Sequence, residues 1–309
     1  MLGGVGPVAV EQTLFGVLLS IGGMVAISIM SLTIRIGTTD DEHGPLNVLF
    51  VVLLTNVCIL VPAAFFLHVP DFGLTFDALW AFAFAGITGT LIARVFTYTS
   101  IRRIGSSRTE PIKSSQPLHA TLIAVVVLNE TVPATRVVGI VLIVVGVGIV
   151  SWEVSRGSVD RRVNANAYEL LLPLLGALFY GIEPTFAKIG FAEGTPVLPG
   201  LAIKTLAALF GYVAYMVARG SVPNPVSFDA RRRRWYLLAG LCNTIFLVFY
   251  YFALEVTPVS VVVPIVTTSP VAVVVLSRLF LPRLEQITWR IAAGAVVVVA
   301  GGVLTTLFG

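Results

Sequence analysis

Apolar runs long enough to cross a membrane fill almost the whole sequence. A bilayer-spanning helix needs roughly 20 consecutive, mostly apolar residues. Ten such runs follow one another, at about 13–36, 46–68, 77–98, 105–129, 134–152, 168–190, 197–218, 235–256, 258–282 and 288–307. The composition agrees, because 57% of the 309 residues are hydrophobic and only 12% are charged, far from the make-up of a soluble domain. We expect an all-α, multi-pass protein of the cell membrane.

An internal repeat divides the predicted spans into two sets of five. Residues 96–117, FTYTSIRRIGSSRTEPIKSSQP, align without gaps on residues 249–270, FYYFALEVTPVSVVVPIVTTSP. Pro111 then matches Pro264, and Pro117 matches Pro270. Self-similarity at a fixed offset is the signature of a duplicated structural unit. The expected organisation is a first five-helix half at 1–152, a connecting loop at 153–167 and a second five-helix half at 168–309.

The odd number of spans in each half determines how the halves are arranged. After five crossings the second half must enter the membrane from the opposite side. Transporters with such inverted repeats place their solute near the midplane, between the halves. Proline breaks at that depth are tolerated where protein or a water-filled cavity receives the freed backbone groups. The predicted fold is therefore ten transmembrane helices, as two inverted five-helix repeats around a central cavity.

Two further stretches resemble a known family. NETVPATRVVGIVLIVVGVGIV from Asn129 and LEQITWRIAAGAVVVVAGGVL from Leu284 each place a glutamate before a glycine-spaced helix. With the preceding proline-containing helix, this resembles the EamA-type members of the drug/metabolite transporter superfamily. The resemblance implies the ten-helix fold and a transport function, and it leaves the solute open. The sequence departs from the family in the first two spans, where IGGMVAIS replaces a frequent Trp-Gly pair and LFVVLLTNV lacks a basic residue.

Ionisable side chains inside the predicted spans are the candidate solute site. A charge at a helix centre is unfavourable by roughly 2.5–3.5 kcal/mol on insertion scales, so it normally faces a cavity or a partner. Glu110 and Lys113 lie on one helical face, and the second half has Val263 and Val266 in their places. We assign the pair to the transport path, with a structural ion pair near the entrance as the alternative. The predicted solute-binding residues are Arg94, Tyr98, Glu110, Lys113, Ser114, Tyr180, Glu183, Lys204, Asn243, Tyr251 and Thr267.

The residue types of this set indicate the class of solute. Lysine offers a compact point charge and arginine a planar fork for a carboxylate or phosphate, and tyrosines offer a wall for an apolar portion. For Arg94, Glu183 and Lys204 an ion pair that locks the helices together is the alternative. Glu110 and Glu183 are the candidate proton carriers if transport is coupled to protons. We expect Lys113→Ala to abolish uptake without unfolding the protein.

The leading functional prediction is a secondary transporter that moves a small polar or amphipathic metabolite, anionic or zwitterionic, by alternating access. A polytopic enzyme acting on a lipid or small solute, and a channel, are the alternatives. The sequence has no HExxH, GxSxG or Walker-type pattern, so we expect no enzyme, cofactor or metal. A channel normally builds its ring from several subunits. The expected partners are a solute and membrane lipid, without nucleic acid, for a monomer or homodimer.

Glycines, glutamates and arginines add predictions about packing and orientation. Gly139 and Gly146, and their matches Gly294 and Gly301, are typical of close helix packing, within the chain by preference over a dimer interface. Glu130 and Glu285 end equivalent spans, which favours a topological or capping role over binding. Arginines concentrate in the junctions that follow odd-numbered spans, so the positive-inside rule makes those junctions cytoplasmic and leaves both termini outside.

Overall fold

The computed structural model describes residues 7–37, 45–104, 106–156, 167–220, 229–280 and 288–307. Within these ranges the protein is entirely helical between its connecting turns. The α-helices are α1 (Pro7–Gly37), α2 (Pro45–His68), α3 (Phe76–Ala85), α4 (Ala93–Ile104), α5 (Ser106–Lys113), α6 (Gln116–Leu128), α7 (Ala134–Arg156), α8 (Leu171–Ala192), α9 (Val197–Ala218), α10 (Ala230–Val256), α11 (Val259–Thr267), α12 (Ser269–Phe280) and α13 (Trp289–Leu307). A π-helical segment, Gly86–Ile92, joins α3 to α4, and a 3-10 turn, Ala167–Leu170, precedes α8.

These helices form the ten predicted spans. The third span is α3, the π segment and α4; the fourth is α5 and α6; the ninth is α11 and α12. In the described part of the chain, eight stretches are long and apolar enough to cross a membrane. The other two are the fourth, which is broken and carries charges, and the sixth, which contains Glu183 and Lys188. The all-α, multi-pass prediction is confirmed, although the third span continues past 98 to Ile104 and the eighth begins at Ala230, before 235.

The fourth and ninth spans break at equivalent positions, as the repeat predicted. The helix direction changes just before Pro117 in one span and just before Pro270 in the other. Proline lacks an N–H, and its ring clashes with the carbonyl four residues earlier, so a regular helix cannot continue through it. At each break a hydroxyl, that of Ser115 or Thr268, donates to a carbonyl three residues back at 2.7 Å. The duplicated sequence thus produces two half-helix spans that face each other.

Equivalent helices of the two halves pack antiparallel, which establishes the inversion. The start of α2 shares a core cluster with the end of α9, and the end of α2 shares one with the start of α9. The same holds for α7 and α13. The other contacts between the halves show the same symmetry. The first span of one half packs on the third span of the other, since α1 packs on α10 and α8 packs on α3 and α4. The described helices therefore form two inverted five-helix halves.

A glycine seam joins α7 to α13. A Cβ built on Gly139 would stand 2.7 Å from the carbonyl oxygen of Gly301, and one built on Gly146 would stand 2.8 Å from that of Gly294. Small residues allow two backbones to approach this closely, which is how membrane helices associate without a hydrophobic driving force between them. The predicted packing within the chain is confirmed. These glycines of α7 and α13 contact each other, so they do not form a dimer interface.

The seam gives a direct test of the packing. We expect Gly301→Val to lower the stability by about 1–3 kcal/mol, because the new side chain meets backbone atoms that cannot move aside. The neighbouring Gly302 is the matched control, since its added Cβ would meet nothing within 4 Å. Thermal unfolding of the purified variants in detergent measures the difference. Equal midpoints for Gly301→Val and Gly302→Val would contradict the seam.

Candidate functional site

A cavity of about 320 Å³ lies between the two halves and is lined by helices of both. It runs from the middle of the bundle towards the arginine-rich end, which we define as the end where odd-numbered spans finish. Ile34 near the end of α1, Ile101 near the end of α4 and Glu110 in α5, the first helix of the fourth span, line its outer part. Among the described lining residues, the charged side chains are Arg94, Glu110, Lys113, Glu183 and Lys204.

The outer part of the cavity contains an ion pair within one helix. Lys113 Nζ lies 2.5 Å from Glu110 Oε2, and the two side chains are 30% and 29% exposed. They lie in α5, directly before the break with α6. The predicted pairing of these residues is confirmed, and the pair points into the cavity rather than into the surrounding lipid region.

A second ion pair lies at the deep end and joins two helices. Lys204 Nζ of α9 contacts Glu183 Oε1 of α8, and their side chains are only 2% and 11% exposed. The Tyr251 hydroxyl donates to the same carboxylate oxygen at 3.3 Å, and its ring centroid lies 4.6 Å from the ammonium. The interhelical ion pair considered for these residues is therefore present, and both partners also line the cavity.

The π segment makes room for this deep pair. A Cβ on Gly89 would overlap the Glu183 carboxylate, and a Cβ on Gly86 would overlap the carbonyl of Lys204. The wider turn and two missing side chains let α8 and α9 approach the third span closely. Short π-helical insertions are frequent at functional sites, and this one sets the position of both charged residues.

Arg94 lies two residues beyond the π segment and differs from the two lysines. It is close to Tyr98, Tyr180 and Glu183, yet no described carboxylate lies within 4.0 Å of its guanidinium. Each carboxylate of the cavity is already paired with a lysine. The described lining therefore has three cations and two carboxylates, a formal excess of one positive charge.

Asn56 of α2 and Asn243 of α10 add amide side chains to the cavity lining. The Thr244 hydroxyl donates to Asn56 Oδ1 at 2.9 Å across α10 and α2. Asn243, only 2% exposed, also lines the cavity. Its Oδ1 has no hydrogen-bond donor among the described residues. That oxygen is itself enclosed and is not open to the cavity.

The end of the bundle opposite the arginine-rich end is closed by bonds between the halves. Glu130, at the end of α6, accepts the backbone N–H groups of Val259 at 2.8 Å and Ser260 at 3.2 Å, the first residues of α11. A carboxylate that accepts these free N–H groups caps the helix. We call this contact the Glu130 clasp. The capping role predicted for Glu130 is confirmed, and Glu285 lies outside the described residues.

A second contact closes the same end. The Thr195 hydroxyl donates to the carbonyl of Gly73 at 2.7 Å, and the Thr75 hydroxyl donates to Glu193 Oε2 at 3.3 Å. These bonds join the turn between α2 and α3 to the turn between α8 and α9. Both turns lie at the end opposite the outer part of the cavity, so these described contacts close that end of the bundle.

Comparison with known proteins identifies this architecture. Residues 14–152 and 167–307 each match the model of the EamA-like transporter family. The chain belongs to the EamA-like transporter family. An uncharacterized protein of Methanocaldococcus jannaschii is 27% identical over 138 residues, which cover 45% of this chain and 96% of that protein. That relative thus corresponds in length to about one half of this EamA chain.

A solved crystal structure of another protein shares the fold. It matches with a TM-score of 0.73 at 14% sequence identity, over 95% of this chain and 96% of its own. At this identity the match supports the fold alone. The family match makes the chain an EamA transporter, not an enzyme, that spans the cell membrane several times.

Most of the predicted site residues lie together in the EamA cavity. Tyr251 is the exception, because it is fully buried, donates to Glu183 and is not among the described lining residues. Its neighbour Tyr250 takes that place. The predicted residues that line the cavity are Arg94, Tyr98, Glu110, Lys113, Ser114, Tyr180, Glu183, Lys204, Asn243 and Thr267.

Several lining residues were not predicted. Helical spacing contains the missing signal for some of them, since positions three, four and seven apart share a face. By that rule, Leu247 and Tyr250 lie on the same face of α10 as Asn243. In the third span, Thr90 and Thr97 lie on the same face as Arg94. Asn56 had no such signal, because it stands alone in an apolar span. The unpredicted polar lining residues are Ser31, Asn56, Thr90, Thr97, Gln116, Thr205, Tyr250 and Ser269.

Proposed function

We propose that this EamA-like transporter moves a small anionic or zwitterionic solute, such as an amino acid or organic acid, by alternating access. The observation that supports the proposal is the charge of the cavity lining. Both described carboxylates are paired with lysines, while Arg94 has no such partner. A net positive charge in a poorly solvated cavity attracts an anion more strongly than it would in bulk water.

Arg94 is suited to hold the anionic group. A guanidinium presents parallel N–H donors that match both oxygens of a carboxylate, and such charge-assisted bonds are among the strongest hydrogen bonds in proteins. Tyr98 and Tyr180 flank it. Phenol rings pack against hydrocarbon while their hydroxyls bond polar groups, so they accommodate the body of an amphipathic solute.

The apolar lining and the size of the cavity limit the rest of the solute. Met30, Phe246, Leu247, Val263 and Val266 contribute apolar surface. A volume of about 320 Å³ lies at the small end of the range of ligand pockets, roughly 300–1,000 Å³. These properties fit a metabolite with one charged end and a short apolar portion.

The closed end favours alternating access over a channel. A channel needs a continuous path in its conducting state, whereas the Glu130 clasp and the Thr195–Gly73 contact close this protein on one side of the cavity. Inverted halves that close one side at a time are the common design of secondary transporters. Proton coupling, with Glu110 or Glu183 as the carrier, is a separate proposal, which the pH gradient in the following assay tests. The choice between monomer and homodimer is another, which a mass measurement of the purified protein tests.

Uptake into liposomes tests the function. The purified protein is reconstituted and supplied with amino acids, organic acids, phosphorylated metabolites and cations, with and without a pH gradient. We expect saturable uptake of an anionic or zwitterionic solute. Arg94→Gln should reduce it by about 10- to 100-fold, the loss expected when a hydrogen bond to a charged group, about 1.5–3 kcal/mol, is removed. Lys113→Ala should also abolish uptake, while both variants keep their unfolding midpoint.

Arg290→Gln provides the matched control. Arg290 lies on α13 outside the cavity; its side chain is 49% exposed, and its Nη1 lies 3.4 Å from Glu153 Oε2. This variant should transport like the wild type. Unchanged uptake in Arg94→Gln and Lys113→Ala would contradict the assigned site, and uptake restricted to cations would contradict the proposed solute class.

A further inference from the structure

A groove at the start of α10 lies on the outer surface of the protein, at the arginine-rich end. It has a volume of about 430 Å³ and is lined by Ala230, Arg234, Trp235 and Leu238. Ala230, Arg234 and Leu238 are spaced four residues apart, so they share one face of the helix. None of the described residues that line this groove lines the solute cavity. The groove is therefore a separate feature of the surface.

The groove contains an arginine without a described partner. The Arg234 side chain is exposed, and no described carboxylate lies within 4.0 Å of its guanidinium. Arg219, at the same end of the bundle, differs because its Nη1 donates to the Tyr215 hydroxyl at 2.7 Å. A guanidinium presents parallel N–H donors that match two oxygens of a phosphate. Arg234 is thus available for an anionic group from outside the chain.

An apolar strip continues from the groove along the same side of α10. It consists of Leu238, Leu241 and Ile245, which are exposed and spaced three and four residues apart. The eleven residues from Arg234 to Ile245 extend about 16 Å, at about 1.5 Å per residue. Half of the hydrocarbon core of a bilayer is about 15 Å thick. With Arg234 at the headgroups, the strip therefore reaches the middle of the membrane.

Trp235 and the surrounding charge place the groove at the level of the headgroups. Tryptophan is enriched at the boundary between membrane and water, and Trp235 lines the groove half-buried. The four consecutive arginines Arg231–Arg234 lie at the end that the positive-inside rule predicts to be cytoplasmic. The cytoplasmic leaflet is the one that carries anionic lipids. Charge, depth and the apolar strip thus favour the same kind of ligand.

We infer that this groove is a binding site for an anionic phospholipid. The phosphate bonds to the Arg234 guanidinium, and one acyl chain lies along the apolar strip. Another face of the same helix lines the solute cavity with Phe246 and Tyr250, so the bound lipid lies behind a wall of that cavity. The inference goes beyond the proposed function and does not depend on it.

Native mass spectrometry of the full-length protein in detergent tests the site, because it gives a dissociation constant for the first bound lipid. The probes are dioleoyl phosphatidylglycerol and dioleoyl phosphatidylcholine, which have the same chains and differ in headgroup charge. The wild type should bind phosphatidylglycerol at least about fivefold more tightly, the gain that one cation gives near an anionic surface. Arg234→Gln should lower the affinity for phosphatidylglycerol by about that factor and leave the affinity for phosphatidylcholine unchanged.

Arg233→Gln is the matched control. Arg233 is exposed and belongs to the same arginine run, but it does not line the groove. This variant should keep most of the affinity for phosphatidylglycerol, and both variants should unfold at the wild-type temperature, since both side chains are exposed. An equal loss of affinity in the two variants would show that the run attracts anions as a diffuse charge, and would overturn the site.

Two further outcomes would also overturn the inference. One is equal binding of the two lipids to the wild type, or an unchanged affinity for phosphatidylglycerol in Arg234→Gln. The other is displacement of the bound lipid by excess glycerol 3-phosphate, a headgroup without acyl chains, because the site would then bind a soluble phosphate and not a lipid. We expect the bound lipid to stay in place, since the apolar strip holds its chain.

Discussion

Replacing Lys204 with methionine should lower the free energy of unfolding by about 3–5 kcal/mol, the loss measured when one partner of a buried ion pair is removed. The side chains of Lys204 and Glu183 are almost completely buried. Without the ammonium, the Glu183 carboxylate keeps the Tyr251 hydroxyl as a partner but loses its compensating charge. The variant is expected to lose transport as well, because the deep wall of the cavity is then disordered or rearranged around an unpaired charge.

The double variant separates charge compensation from packing. Lys204→Met combined with Glu183→Met removes both charges, and apolar replacement of a buried pair is often neutral or stabilising. We therefore expect its unfolding midpoint to return most of the way to the wild-type value. Lys113→Met is the control, because that pair is about one third exposed, and exposed pairs contribute about 0–1 kcal/mol. A double variant as unstable as Lys204→Met would show that the pair is not coupled as described.

The second large effect is expected at Gly89. An alanine there places a methyl group on top of the Glu183 carboxylate, so either that side chain or α8 must move. Overpacking of this kind lowers stability by about 1–3 kcal/mol, and displacing Glu183 also leaves Lys204 without its partner. We expect Gly89→Ala to abolish measurable liposome uptake and to lower the unfolding midpoint.

Gly148→Ala is the matched control for this prediction. Gly148 is also a glycine within a transmembrane helix, but a Cβ at its position meets nothing within 4 Å. It should transport at the wild-type rate and unfold at the same temperature or slightly higher, since alanine favours a helix over glycine by about 1 kcal/mol. Wild-type uptake by Gly89→Ala would contradict the role given to the π segment.

The fold was predictable from the sequence because a membrane restricts the structures that a chain can form within it. Ten apolar runs allow few alternatives to ten helices, and the aligned prolines located both helix breaks. The boundaries were less predictable where polar residues remain helical. From the sequence, the run Arg231–Arg234 was assigned to the junction before the eighth span. In the structure α10 already begins at Ala230, because arginine has a high helix propensity.

The charged residues of the site were predictable from the sequence, because a charge inside a membrane span needs a cavity or a partner. The features of the site that depend on helix geometry were not predictable. Arg94, Glu110, Lys113, Glu183 and Lys204 were identified because a buried charge is unfavourable. The π segment had no signal, since GITGTLI is compatible with an ordinary helix. The exchange of Tyr251 for Tyr250 follows from the rotation of about 100° per residue, because adjacent tyrosines of one helix face different surroundings.

The Glu130 clasp links helices of opposite halves, and this restricts how the closed end opens. α11 is a half-helix whose first N–H groups depend on a carboxylate from α6. A tilt of one helix alone would separate those donors from their acceptor. An opening motion that keeps both hydrogen bonds moves α6 and α11 together as one rigid body. The bending then occurs at the proline breaks that separate them from α5 and α12.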